Sequence, residues 1–190
     1  MTMMLRHLPN LLTTLRLAAA PTTAGLLVAG HFNAAFGLFA VAGLSDAADG
    51  FLAKRFGLDS PLGRVLDPMA DKALMLAAFV TLALLDDVPV WVAAIVIGRD
   101  VLILSGLAIA VALRAPIGVK PILLGKLCTA LQMFYIGSHL ASLAFAFPLG
   151  AISPADSYVV GVVALASGFA YCAVWLKAMR AVWIEYGRRA

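Results

Sequence analysis

The sequence predicts an all-α integral membrane fold with six transmembrane helices, and three observations carry that expectation. The 190 residues are 63% hydrophobic and only 13% charged, whereas soluble domains run nearer 45–50% apolar and about 25% charged. The apolar residues gather in six stretches, near 9–29, 34–55, 63–85, 89–113, 121–147 and 157–179. Each is as long as the roughly 20 residues a helix needs to cross about 30 Å of hydrocarbon. Turn or polar signals separate them: Gly30-His31-Phe32-Asn33, Gly57 to Pro61, Asp86-Asp87-Val88-Pro89, Arg114-Ala115-Pro116, and Phe147 to Asp156 with two prolines.

The same runs exclude a strand reading, because they are too long and do not alternate. No internal repeat or soluble second segment is visible, so residues 1–190 read as one membrane domain. Its first residues (1–8, MTMMLRHL) are placed along the membrane surface as a short interfacial helix. No small-residue cleavage signal follows, so the N-terminus reads as retained. Cys128 and Cys172, both inside apolar runs, read as small core residues.

A formal charge of +4 raises nucleic acid as a partner, but the basic residues form no stripe with interleaved aromatics. Their placement fits a topology instead. Arg6, Lys54, Arg55, Arg64, Arg114, Lys120, Arg180, Arg188 and Arg189 lie at or near the N-terminus, the second and fourth loops, and the C-terminus. The first, third and fifth loops contain no Lys or Arg, and Asp86, Asp87 and Asp156 sit in two of them. The positive-inside rule then puts both termini in the cytoplasm, with an even number of spans.

Four aspartates break the apolar pattern of the second and third spans. Each ionised Asp deep in a span costs on the order of 2.5–3.5 kcal/mol, so four uncompensated ones would cost roughly 10–14 kcal/mol, comparable to a whole domain's stability. Asp46 and Asp49 are three residues apart and Asp67 and Asp71 four, so each pair shares a helical face. Folding the two helices as an antiparallel hairpin about residue 58 sets Asp49 opposite Asp67, and about the next half-position sets Asp46 opposite Asp71. Four converging carboxylates need cations, and hard oxygen donors without nearby His or Cys favour Mg²⁺ or Mn²⁺. Asp49 falls about 10 Å and Asp46 about 15 Å from the cytoplasmic turn at 1.5 Å per residue. The site is therefore expected in the cytoplasmic half of the bundle, suited to a substrate with a lipid tail and a charged head. The plainer alternative is structural ion pairing with Lys54, Arg55, Arg64 and Lys72. Against it, Gly50 and Gly63 flank the carboxylates, where small residues let a helix or a ligand approach.

Residues 46–71, DAADGFLAKRFGLDSPLGRVLDPMAD, resemble the signature of the CDP-alcohol phosphatidyltransferase family, D-x2-D-G-x2-A-R-x8-G-x3-D-x3-D. Asp46, Asp49, Gly50, Ala53, Gly63, Asp67 and Asp71 fall on its fixed positions without a spacing error. Lys54 departs from it, standing where the signature has Arg, with Arg55 beside it. Either can bring positive charge to a diphosphate, but Lys lacks the bidentate fork. The resemblance implies six helices with the motif on the second and third, a homodimer, and two divalent ions held by Asp46, Asp49, Asp67 and Asp71. It also implies transfer of a phosphatidyl group from CDP-diacylglycerol to an acceptor hydroxyl with release of CMP, Asp71 doubling as general base.

Further polar residues belong to the same expectation. Asn10, Thr13 and Arg16 share one face of the first span, within Pro9–Arg16, which resembles the family's opening segment. Arg16 would meet the nucleotide diphosphate or the aspartates, or else snorkel to the cytoplasmic surface. Arg99 and Lys126, with Asp100 and Lys120 nearby, form a second basic group that could grip a phosphate on the acceptor; the alternative for Lys126 is an interface marker at a helix end. The segments Ile97–Ile103 and Gly125–Gln132 resemble those of bacterial members with glycerol-type acceptors, which places the chain in a bacterial-type inner membrane. They are closest to CMP-forming cardiolipin synthases, which use phosphatidylglycerol. Phosphatidylglycerophosphate synthases, which use glycerol 3-phosphate, usually carry Arg-Glu where this chain has Arg99-Asp100. Inositol phosphate, serine and choline acceptors rank below these. A metal-ion transporter or an inactive scaffold are the readings from other classes; the first tends to show repeats and broken helices, the second a lost metal ligand. The metal reading predicts that Asp49→Asn abolishes CMP release while the protein still elutes as a folded species in detergent; undiminished transfer would sink it.

Overall fold

The computed structural model describes the backbone of residues 2–56, 63–112, 122–146 and 154–187. Side chains are described for 14–45, 72–106, 108–109, 122–146, 154–177 and 179. Among these residues the structure is all-helical: α1 (Thr2–Val28), α2 (Phe32–Phe56), α3 (Gly63–Leu84), α4 (Val90–Ala112), α5 (Leu123–Phe145) and α6 (Pro154–Gly187). Each expected apolar stretch coincides with one helix. The differences lie at the ends: α1 starts at Thr2, taking in residues 2–8, and α6 runs to Gly187. Hydropathy marks where the apolar stretch stops, whereas the helix continues as long as helix-forming residues supply its backbone bonds. The expected turns at 57–61, 114–116 and 147–153 lie outside the described residues.

Two described helix ends use the same cap. Gly30, at φ 76°, donates its N–H to the Leu27 carbonyl, and His31 donates to Leu26. These are the paired bonds of a Schellman motif, with glycine in the left-handed position where a side chain is costly. At the end of α3, Asp86 takes that position with φ 59°, donating to Ala83, while Asp87 donates to Leu82. Asp is among the few residues that tolerate this conformation. Both expected turn signals thus stop a helix, the first within three residues rather than four because α2 begins at Phe32.

The chain divides into two compact units, residues 1–90 with 133–152, and residues 91–132 with 153–190. In the first, α1 packs against α2 and α3, and α2 touches α3. Buried stripes at helical spacing make its core: Arg16, Ala19, Ala20, Thr23 and Leu27 on α1; Ala35, Phe39 and Ala42 on α2; Leu74, Ala78, Phe79 and Leu82 on α3. The second half of α5 joins them. Phe145 meets Phe36 edge-on at 5.4 Å, Tyr135 stacks on Phe79 at 6.2 Å, and buried His139 donates its Nδ1–H to Asp87 at 2.8 Å.

In the second unit α4 and α6 run parallel in a fixed register. Trp91 lies over Gly161, Arg99 meets Ser167, and Trp175 lies over Gly106, so partners sit about 70 positions apart all along the seam. Three glycines accept aromatic groups at closer range than any Cβ would allow: a methyl at Gly161 would stand 2.6 Å from Trp91, at Gly106 2.7 Å from Trp175, and at Gly125 on α5 2.7 Å from the Tyr171 hydroxyl.

Beside its apolar core the protein buries several polar side chains and exposes large apolar ones. Arg16, Thr23, Thr81, Arg99, Gln132, His139, Ser157 and Ser167 are buried, while Val28, Leu44, Leu84, Phe134 and Phe169 are each at least 72% exposed. The described parts of α5 (Leu123–Phe145) and α6 (Pro154–Lys177) are long and apolar enough to cross a membrane. Polar groups inside and large apolar groups outside are consistent with a membrane protein. The seam yields a test: Gly125→Ala should destabilise by about 1–3 kcal/mol, read as a lower unfolding temperature in mild detergent. Buried Tyr171 and the Arg99 guanidinium, 3.3 Å from the added methyl, cannot both give way.

Candidate active site

The backbone carries the acidic motif on two neighbouring helices. Asp46 and Asp49 lie in α2, Asp67 and Asp71 in α3, and their spacings put each pair on one side of its helix. Gly50, Ala53 and Lys54 follow on α2, Gly63 is the first residue of α3, and Asn10 and Thr13 belong to α1. The side chains of all these residues lie outside the described ones. Among the described residues no three His, Cys, Asp or Glu come together as a metal site. The donor set along α2 and α3 has the chemistry a divalent ion needs: four carboxylates, hard oxygen ligands, in two pairs on helices that both pack against α1.

Arg16 on α1 is 4% exposed. It sits in the buried stripe with Ala19, Ala20 and Thr23. The other expected basic residues separate. Lys126, near the start of α5, is exposed, while its neighbour Gly125 is buried.

Arg99 is buried and surrounded. Its Nη1 donates to Asp100 Oδ1 at 2.6 Å, its Nη2 to Ser167 Oγ at 3.0 Å and to the Gly125 carbonyl at 3.4 Å, and its Nε to Ser167 Oγ at 3.3 Å. The guanidinium carbon lies 5.7 Å from the Tyr171 ring centroid, a cation–π distance. Four of the five N–H donors of the guanidinium are engaged, and the neighbouring carboxylate, itself 15% exposed, balances the charge. Three helices supply these partners: α4, α5 and α6. Expected as an open grip for an acceptor phosphate, Arg99 instead has most of its hydrogen-bonding capacity committed within the protein.

Sequence reasoning missed Ser167 and Tyr171. They belong to a stripe on α6, Ser157, Val160, Ala164, Ser167 and Tyr171, all buried. A serine and a tyrosine four residues apart within an apolar run were the available signal. Gln132 was quoted only as part of a segment; it is 1% exposed and donates from Nε2 to Cys128 Sγ at 3.3 Å, four residues back.

The profile of the CDP-alcohol phosphatidyltransferase family matches residues 6–183. The chain belongs to this family. CDP-alcohol phosphatidyltransferases are transferases of phospholipid biosynthesis, and similar proteins carry two names within that class. The chain is 36% identical over 180 residues to a cardiolipin synthase (CMP-forming)/mitochondrial hydrolase fusion protein of Schizosaccharomyces pombe, covering 87% of this chain and 30% of that protein. It is 32% identical over 154 residues to the cardiolipin synthase (CMP-forming) of Rattus norvegicus, covering 73% and 51%. It is 38% identical over 138 residues to a probable phosphatidylglycerophosphate synthase of Mycobacterium tuberculosis, covering 69% and 64%. The chain therefore spans less than two thirds of each relative's length. Within this phosphatidyltransferase domain the matched range contains the acidic motif on α2 and α3 as well as the Arg99 cluster.

The Arg99 cluster makes its own prediction. Arg99→Met alone removes the cation beside a largely buried carboxylate and should destabilise by about 3–5 kcal/mol, while Arg99→Met with Asp100→Leu should recover most of that loss. Thermal unfolding of the single and double variants in detergent checks it.

Proposed function

We propose that this protein catalyses divalent-metal-dependent transfer of a phosphatidyl group from CDP-diacylglycerol to the hydroxyl of a glycerol-type acceptor, with phosphatidylglycerol as acceptor and cardiolipin as product. The observation that carries this reading is the spacing of Asp46, Asp49, Asp67 and Asp71 on α2 and α3, within a chain of the CDP-alcohol phosphatidyltransferase family. In this reading residues 1–190 act as one catalytic membrane domain that crosses a bacterial-type inner membrane six times. Both termini face the cytoplasm, the site opens to the cytoplasmic side, and two copies assemble as a homodimer. The alternation of basic and acidic loops supports the orientation.

The four aspartates would hold two Mg²⁺ or Mn²⁺ ions, which when bound neutralise the donor's diphosphate and stabilise the attacking and leaving oxygens. The protein's own groups do the rest. Asn10, Thr13 and Arg16 line the donor side from α1, with Lys54 or Arg55 adding positive charge from α2. Gly50, Ala53 and Gly63 keep the approach open. The acceptor oxygen attacks the phosphatidyl phosphorus, the bond from that phosphorus to CMP breaks, and Asp71 takes the acceptor's proton. Lys126, exposed on α5, is placed to meet the acceptor's anionic head. Arg99 contributes by holding α4, α5 and α6 around the acceptor side.

A second reading of the acceptor, glycerol 3-phosphate, is favoured by the 38% identity to the mycobacterial phosphatidylglycerophosphate synthase. The longer match to the fusion protein bearing the cardiolipin synthase name, over 87% of this chain, favours phosphatidylglycerol. One assay separates them. Purified protein receives CDP-diacylglycerol, Mg²⁺ or Mn²⁺, and one acceptor at a time, and CMP and lipid products are read by mass spectrometry. Metal-dependent CMP release with phosphatidylglycerol is expected, and Asp71→Asn should reduce it at least a hundredfold. Release with glycerol 3-phosphate alone would move the assignment to the second reading. No release with any acceptor, from folded protein, would favour a transporter or an inactive scaffold.

A further inference from the structure

Glycines notch the described helices of the second unit at five places, four buried or half-buried and Gly98 exposed, and the neighbouring helices fill them unequally. Aromatic groups occupy the space beside Gly106, Gly125 and Gly161. Beside Gly98 on α4 no described atom lies within 4 Å of where a Cβ would stand, and beside Gly168 on α6 the Cγ of Arg99 is the single one, at 3.7 Å. These two glycines face the same space. A groove of about 270 Å³ runs between α4 and α6 there, walled by Ile95, Leu102, Leu165 and Phe169.

Its chemistry is apolar because of how Arg99 is held. The aliphatic stem of Arg99 borders the groove at Gly168, while the guanidinium is spent on Asp100, Ser167 and the Gly125 carbonyl. A recess lined in this way does not retain water. From Ala94 to Leu102 the groove follows nine residues of helix, eight rises or about 12 Å at 1.5 Å each. One leaflet of a ~30 Å hydrocarbon core is about 15 Å deep. The groove is therefore elongated along the helix axes, as an extended hydrocarbon chain would be. A helix of a second copy fits less well, because Phe169, 72% exposed, and Leu165, 46% exposed, stand at the rim and hold a second backbone away.

We propose that the groove between Gly98 and Gly168 seats an acyl chain of the acceptor, which makes the acceptor a phosphatidyl alcohol rather than a water-soluble glycerol phosphate. This rests on the transfer reaction proposed above. The donor residues of that reaction lie on α1, α2 and α3, whereas the groove is built wholly from α4 and α6, beside Arg99. A reaction that joins two phosphatidyl groups needs a separate place for the chains of the second lipid, and a soluble acceptor has no use for one.

The experiment measures CMP release by wild type and by Gly98→Leu with dioleoyl and with dihexanoyl phosphatidylglycerol in the same detergent. A Cβ at Gly98 meets no described atom within 4 Å and Gly98 lines the groove, so a leucine there starts in open space and projects into it. Expected is a rise of about tenfold in KM for the dioleoyl acceptor, the loss of roughly two methylenes of burial. The KM for CDP-diacylglycerol, the KM for the dihexanoyl acceptor and kcat should not change. A variant indistinguishable from an active wild type, or one that loses both acceptors equally, overturns the groove while leaving the reaction standing. A change from dimer to monomer in Gly98→Leu would assign the groove to a second copy and likewise overturn it. Wild type that releases no CMP with phosphatidylglycerol overturns the acceptor reading first and the groove with it. A second readout needs no substitution: Cys172 lines the groove and is half-buried. Its labelling by a lipophilic maleimide should slow with dioleoyl but not dihexanoyl phosphatidylglycerol; equal labelling rates would count against an acyl chain.

Discussion

A guanidinium taken out of water brings five donors and a full charge, and each must be answered by something nearby. Arg99 obtains its answers from three helices: a carboxylate on its own α4, a main-chain carbonyl on α5, and a hydroxyl and an aromatic face on α6. Much of the composition around it follows. Residue 125 carries no side chain because Tyr171 and the guanidinium both press on that spot. Ser167 interrupts an apolar stripe because two of the nitrogens need an acceptor there. Asp100 holds the charge balance within one residue of where it is needed. Turning the polar end inward also turns the stem outward, which gives the outer face beside Gly168 its hydrocarbon character.

The two compact units solve different problems with the same kind of helix. In the first, α1 packs against the pair that carries the acidic motif, and its buried stripe mixes alanines with Arg16 and Thr23. Small residues there allow helices to lie close and leave volume for polar groups. In the second, bulky aromatics and bare glycines interlock, and polarity is concentrated at Arg99.

How much of this was legible in the sequence depends on which force decided each feature. Among the described residues helix number followed from hydropathy, because each expected apolar stretch coincides with one helix. The turns at Gly30 and Asp86–Asp87 followed from residue types that tolerate left-handed backbone. The acidic motif was legible as a family signature because its spacing is rigid. Helix ends were not: α1 and α6 outrun their apolar stretches, since intrinsic helix propensity continues where hydrophobicity stops. Nor was the setting of Arg99. Its partners Ser167 and Gly125 are 68 and 26 positions away, and only packing brings such residues together. Counting charges exposed Arg99 as unusual but gave no means of deciding between a ligand facing a cavity and a cation facing its own protein.

The constant offset between partners on α4 and α6 has a mechanical meaning. Trp91 in the notch of Gly161 and Trp175 in the notch of Gly106 act as pegs set at opposite ends of one seam, with the Arg99 bonds between them. To slide α4 by a turn past α6, about 5.4 Å, both indoles would have to leave their notches and the guanidinium its hydroxyl at the same moment. Interlocked helices of this kind have few intermediate positions. The pair therefore behaves as a single beam whose two members do not shear past each other, and the groove between Gly98 and Gly168 keeps its two walls in one register.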